Sequence, residues 1–283
     1  MSDAIEFGGT QVRDMVDGLR AVGADMDALL RTTGLDPAAL GDGSRIPGRT
    51  VLDLLDEAAR RTSDPSIGLR AGMRAPVRGP LLYLVLSSAT LETGLRHSAR
   101  FAALMISTLR IALERQSDRQ SIVYDFGERA LALHRQLVGY LLMANLCSMQ
   151  RTAMGELTPR EVHLQFPDPG GGAEARAFGC PVRFRRRETR LVFAASDLRR
   201  ESRTANPLVA AQIEKFAASL LVRPEAPSLR ARVVDTTRTL LARGEMPASQ
   251  IAFEAGFSHQ SHMARCMRRV LGVTPAQVAR TRS

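Results

Sequence analysis

The sequence predicts a mixed α+β region followed by a small all-α module. Three observations predict it. Apolar residues recur at helical spacing through residues 10–72 and again after Thr90. They then alternate with period two around Leu109–Leu113, Ile122–Phe126, Val162–Phe166 and Thr189–Ala194. The last stretch, residues 244–283, returns to helical spacing with glycine or proline at each turn.

Taken in order, Val12, Met15, Val16, Leu19 and Val22 give one amphipathic helix ending near Gly23. Asp25 suits the N-cap of a shorter helix with Met26, Leu29 and Leu30, stopped by Gly34. Pro47 starts a third, with Val51, Leu52, Leu54, Leu55 and Ala58, and Asp64-Pro65 opens a segment to Gly72. Gly79-Pro80 restarts the chain before the apolar run Leu81–Leu86, and Thr90 caps a helix expected to reach Met105. Two alternating runs flank Ser117-Asp118-Arg119, which reads as a hairpin with one buried face. A long helix over 128–154, a strand over 161–166 and a short helix over 173–178 follow. Residues 181–186 and 189–194 read as a second hairpin, and a final helix spans 207–222.

At 283 residues the chain suits two domains. Residues 1–222 form the α+β domain, 223–227 (Arg-Pro-Glu-Ala-Pro) a linker, and 228–283 the helical module. A hydrophobic fraction of 45% and a charged fraction of 24% are ordinary for a globular protein. No apolar run reaches the roughly 18 residues of a membrane helix, so no membrane partner is expected. The start, Met-Ser-Asp-Ala-Ile-Glu, lacks a basic then apolar leader, which points to the cytoplasm. Cys147, Cys180 and Cys266 are far apart and odd in number, so they read as reduced core residues. His97 and His163 have no Cys, Asp or Glu at metal-ligand spacing, and His134 among leucines reads as structural. No nucleophile elbow or phosphate loop appears, so neither catalysis, a metal nor a cofactor is expected.

The net charge is +10, and its location is informative. Residues 228–283 hold nine Arg against three acids, a net +6, whereas 1–227 hold thirty bases against twenty-six acids, a net +4. Positive charge gathered in a small terminal module is the electrostatic footprint of a nucleic-acid binder. Within it, Ser228 caps and Gly244 ends a helix over 229–243. Pro247 then suits the first turn of a helix that turns Ile251, Ala252 and Ala255 inward. Gly256 turns the chain, Ser258 caps a second helix, Gly272 closes it and Pro275 follows. That is a helix-turn-helix, whose second helix enters the DNA major groove. At 100° per residue Met263, Cys266, Met267 and Val270 share an inner arc. Ser258, Ser261, His262, Arg265, Arg268 and Arg269 share the outer arc, with His259 and Gln260 at its start. Those eight residues suit base edges and phosphates of double-stranded DNA.

Ile251–Pro275 resembles the C-terminal signature of the AraC/XylS family of transcriptional regulators. Ile251, Ala252, Gly256, Phe257, Ser261, Arg265, Gly272, Thr274 and Pro275 fall in its register, and Met263 and Met267 stand where the family has phenylalanine. The resemblance implies that Ser261, His262 and Arg265 carry base contacts. The family has two helix-turn-helix units joined by a long helix, whereas residues 228–283 fit one. Residues 18–221 resemble the N-terminal effector-binding domain of one branch of that family, most densely at Gly79–Leu91, Val162–Pro167 and Phe178–Phe184. This implies a small-molecule effector, whose binding residues the sequence does not name. A single recognition helix makes few base contacts, which points to a homodimer, and RNA polymerase is a further expected partner. The rival reading is a shortened family member that binds an effector or a partner protein without an operator of its own.

One cluster stands outside this scheme. Residues 181–203 hold eight Arg against three acids. They cover the solvated face of a hairpin and discourage edge pairing, or they meet DNA backbone or an acidic effector.

Overall fold

The structure, a computed structural model, describes residues 5–41, 43–76, 78–152, 156–202 and 204–221, then 250–252, 260, 264, 274, 275 and 277. The chain divides into two compact units, Met1–Leu221 and Val222–Ser283. The expected linker 223–227 and the helix over 229–243 lie outside the described residues.

The first unit is α+β. Strand β1 (Glu6–Gly8) pairs antiparallel with β2 (Arg45–Pro47), and α1 (Gly9–Ala21) and α2 (Met26–Thr33) lie between them in sequence. Asp25 caps α2, its Oδ1 accepting from the Ala28 N–H at 3.1 Å, and Gly34 ends it in the left-handed region. Neither short strand announces itself, because three residues cannot display an alternating pattern. Helices α3 (Gly48–Thr62) and α4 (Ile67–Arg74) follow Pro47 and Ser66.

Helix α5 (Pro80–Ser87) carries the apolar run, and Thr90 caps α6 (Leu91–Ala99) by accepting from the Thr93 N–H at 3.1 Å. The expected continuation to Met105 is corrected: α6 stops at Ala99, and Ala102–Leu104 form a separate 3-10 turn. Between them Phe101 leaves helical geometry and buries its ring with Leu84 and Ala217.

Strands β3 (Arg110–Gln116) and β4 (Arg119–Asp125) make the expected hairpin around Ser117, whose φ is 54°. The single buried face is corrected. Residues Gln120–Tyr124 are all buried, as on a strand covered on both of its faces. The expected helix over 128–154 is two helices, α7 (Arg129–Leu133) and α8 (Arg135–Thr152). His134 interrupts them with extended geometry, and its Nδ1 accepts from the Leu137 N–H at 3.2 Å. This histidine therefore caps α8, and its Nε2 lies 3.1 Å from Asp56 Oδ1 on α3.

Strand β5 (Glu161–His163) stops short of the expected Phe166, and α9 (Ala173–Phe178) leads to β6 (Val182–Arg183). Strand β7 (Thr189–Ala194), the turn-length α10 (Ala195–Leu198) and α11 (Pro207–Leu221) complete the unit. The expected second hairpin is corrected by the strand order β3-β4-β7-β5-β6. Strand β6 runs parallel to β5 across α9, and β7 inserts antiparallel between β4 and β5. Period-two alternation reports a half-buried strand without saying which neighbour it pairs with.

The core runs through this unit, with Phe7, Tyr124, Phe126, Tyr140 and Phe193 among its largest fully buried side chains. Cys147 and Cys180 are free thiols packed half-buried against it, and Cys266 lies outside the described residues. Burial raises both thiols, Cys180 to about 11 with help from the charge of Glu161. Among the described residues no helix is long and apolar enough to cross a membrane.

Candidate nucleic-acid interface

In the second unit Gln250, Ile251 and Ala252 are helical. Ile251 and Ala252 are buried, and Gln250 is exposed beside them. An isoleucine and an alanine turned inward while the neighbouring glutamine stays outside is the pattern of an amphipathic helix. Gln260 is helical and exposed, and Ala264, one turn further, is helical and half-buried. Ser258, His259, Ser261, His262, Arg265, Arg268 and Arg269, the other members of the expected DNA face, lie outside the described residues.

Thr274 closes a local circuit that the residue pattern had not suggested. Its Oγ1 accepts from the Gln277 N–H at 3.3 Å, while Gln277 Oε1 accepts from the Thr274 N–H at 2.7 Å. That is a capping box with Pro275, helical and buried, in the first turn of a further helix. The signal was present as Thr-Pro-x-Gln, where proline after a helix stop also marks the next helix start.

In the first unit the titratable clusters are ion-pair networks. Glu161 Oε2 accepts from Arg183 Nε at 2.9 Å, and its Oε1 lies 3.2 Å from His163 Nε2 and 3.6 Å from Arg119 Nη1. The Arg183 hydrogen bond holds the Glu161 carboxyl below its ordinary range, and burial depresses His163 despite that carboxylate. Arg135 Nε donates to Glu174 Oε1 at 2.8 Å, joining α8 to α9 through a buried carboxylate. Among the described residues no three of His, Cys, Asp and Glu gather around a metal-sized space.

A mixed α+β unit followed by a basic helix-turn-helix module is the layout of a DNA-binding regulator with a separate sensing domain. The model of the arabinose-binding domain of AraC transcription regulator, N-terminal, matches residues 23–202, and a helix-turn-helix domain model matches residues 226–281. The chain belongs to the AraC family, and it is a DNA-binding transcription regulator. The crystal structure of transcriptional regulator CdpR from Pseudomonas aeruginosa is similar over 90% of this chain and 96% of that one, at 16% identity and a TM-score of 0.48. No curated protein sequence matches the chain.

Proposed function

We propose that the chain is a cytoplasmic, homodimeric regulator that binds a small-molecule effector in residues 1–222 and reads double-stranded DNA with residues 228–283. Ser258, His259, Gln260, Ser261, His262, Arg265, Arg268 and Arg269 form the reading face, and RNA polymerase is the partner at the promoter. The observation that carries this reading is the tandem of a sensing-domain match and a helix-turn-helix match on one chain, with a net +6 in the last 56 residues.

A single recognition helix makes few base contacts, each worth about 1–3 kcal/mol of discrimination. Two-fold pairing doubles them, with half-sites one or more helical turns apart, about 10 bp each. Footprinting of the full chain on DNA upstream of its own and neighbouring genes tests this. A protected repeat that Arg265→Ala weakens by about 1–3 kcal/mol, with little change on random duplex, supports it. Equal weakening on both duplexes makes Arg265 a phosphate contact and removes it from base reading.

A further inference from the structure

Residues 185–187 are three consecutive arginines, and all three are exposed. Among the described residues none of them meets a carboxylate, whereas their neighbours do. Arg183 pairs with Glu161 at 2.9 Å, and Arg190 pairs with Glu188 and, at 3.6 Å, with Glu114. Protection of a sheet edge accounts for Arg183, which sits on the edge strand β6. Arg185–Arg187 follow that two-residue strand, and three consecutive arginines are more than protection of a short edge requires.

The backbone beneath them is pinned. The Arg185 N–H donates to Phe166 O at 3.1 Å and the Arg186 N–H to Leu164 O at 2.9 Å. Phe184 sets its ring against Phe166, with centroids 5.9 Å apart. Arg185 itself is held at φ 54°, a left-handed conformation that a side chain with a Cβ rarely adopts. A fixed loop presenting three unpaired guanidiniums has little backbone entropy left to lose on binding an anion.

We propose that this loop of the first domain binds the phosphodiester backbone of double-stranded DNA. The proposal rests on the DNA-reading function above. An extended polyanion fits better than a small acidic effector, because small ligands are enclosed and these side chains are exposed. A cavity of about 420 Å³ among the described residues lies elsewhere, between Ala21, Val22, Arg70, Met73 and Arg74. Guanidinium also suits phosphate through its forked donors. Backbone contacts carry no sequence information, so the loop adds affinity without changing which site is chosen.

The test compares full-length chains on promoter duplex and on random duplex across a salt series. In the variant R185N/R186Q/R187Q, asparagine tolerates the left-handed position. Its slope of log K against log salt should fall by about 1 to 3, at about 0.9 for each phosphate no longer neutralised, equally on both duplexes. R185K/R186K/R187K, which keeps the charge, should restore most of the slope. R31Q/R110Q/R129Q removes three exposed charges elsewhere in the unit and should leave the slope nearly unchanged. Unchanged melting temperature for the folded variants keeps the comparison clean. An unchanged slope in the 185–187 variant overturns the proposal, as does an equal fall in the 31/110/129 variant. Failure of the parent chain to distinguish promoter from random duplex sinks the sequence-reading function instead, while the slopes on random duplex still decide the loop.

Discussion

Helices α4 and α11 each lie against one main partner, α8 and α5 respectively, in opposite ways. Helix α4 carries two glycines and two arginines, yet five of its eight residues are buried. Helix α11 is much richer in apolar residues, yet of its fifteen only Ala217 is buried. Leu208 is 82% exposed and Phe216 48%. The difference lies in how near the backbones come. A Cβ added at Gly68 would stand 2.2 Å from the Gln136 carbonyl oxygen, and one at Gly72 2.4 Å from that of Tyr140. The missing side chains let α8 press directly on α4, and Gln136 locks the start of the contact. Its Oε1 accepts from the Gly68 N–H at 2.8 Å, and its Nε2 donates to Pro65 O at 2.8 Å. Close packing and satisfied polar groups, more than apolar content, decide which helix belongs to the core.

The largest expected effect follows from that close approach. Gly68→Val must push two backbones apart, and overpacking of this kind costs about 3 kcal/mol or more. For a unit of this size the melting temperature should drop by roughly 6–12 °C, read by thermal unfolding of the full chain. A drop within about 2 °C would show that the two helices yield easily and that the comparison is wrong. The matching probe on the other side is Leu84→Ala, which empties the small cluster of Leu84, Phe101 and Ala217. Its cost should be about 2–3 kcal/mol, at the low end for buried leucine, because half-buried Leu81, Leu104 and Ile213 can relax into the space. Chemical denaturation gives that value directly.

What was legible in the sequence follows the same division between local and distant causes. Asp25, Gly34 and Thr90 act within one turn of themselves, so α2 and the start of α6 could be placed from residue types alone. The β3-β4 hairpin was legible because its strands are adjacent in the chain. The position of β7 between β4 and β5 was not, since pairing between distant segments leaves no mark on a short alternating run. The break at His134 was also hidden, because Leu131 and Leu137 keep helical spacing on either side of it. At the DNA-binding end the expected turn at Gly256 and cap at Ser258 lie outside the described residues, and of the eight proposed reading residues Gln260 is described, on a helix and exposed. The basic loop was visible as composition, but its place just after the edge strand β6 needed the strand order.

Helix α1 packs on α4 as well, and it brings a polar group into that tight region. Asp14 is 3% exposed, and its Oδ2 accepts from the Arg78 N–H at 2.6 Å. Burial raises its carboxyl above the ordinary 3.8; the Arg78 amide and guanidinium oppose that, the nearby Asp17 carboxylate reinforces it, and Arg13 opposes it weakly. A folded-state value above the unfolded one means that folding favours the protonated acid. The stability it contributes is present below the unfolded value and lost as pH rises through the folded one. Asp14→Asn, which keeps an acceptor for Arg78, should therefore flatten the fall in stability above about pH 4 and gain on the parent toward neutrality. The measurement is the pH dependence of the unfolding free energy for both chains. A steeper fall in the variant would mean that Asp14 is held as a stabilised carboxylate.

The smallest expected effect is on the outer face of α11. Leu208 and Phe216 lie on the side of the helix turned away from Leu84 and Phe101, so replacing them removes little buried area in the single chain. Surface substitutions away from caps and networks usually change stability by no more than about 0.5 kcal/mol. Leu208→Ser and Phe216→Ser should each fall in that range when unfolding is measured at low protein concentration. Raising the concentration sharpens the test, since a second copy covering this face would bind only the folded state and lift its melting temperature by mass action. Curves that stay superimposable over a wide range of concentration, for parent and variants alike, leave α11 a loosely docked helix that no second copy covers. Should the parent's melting temperature climb with concentration while that of Leu208→Ser does not, this face is the dimer contact. The contrast with α4 would then lie in what covers each helix, a partner chain in one case and the fold itself in the other.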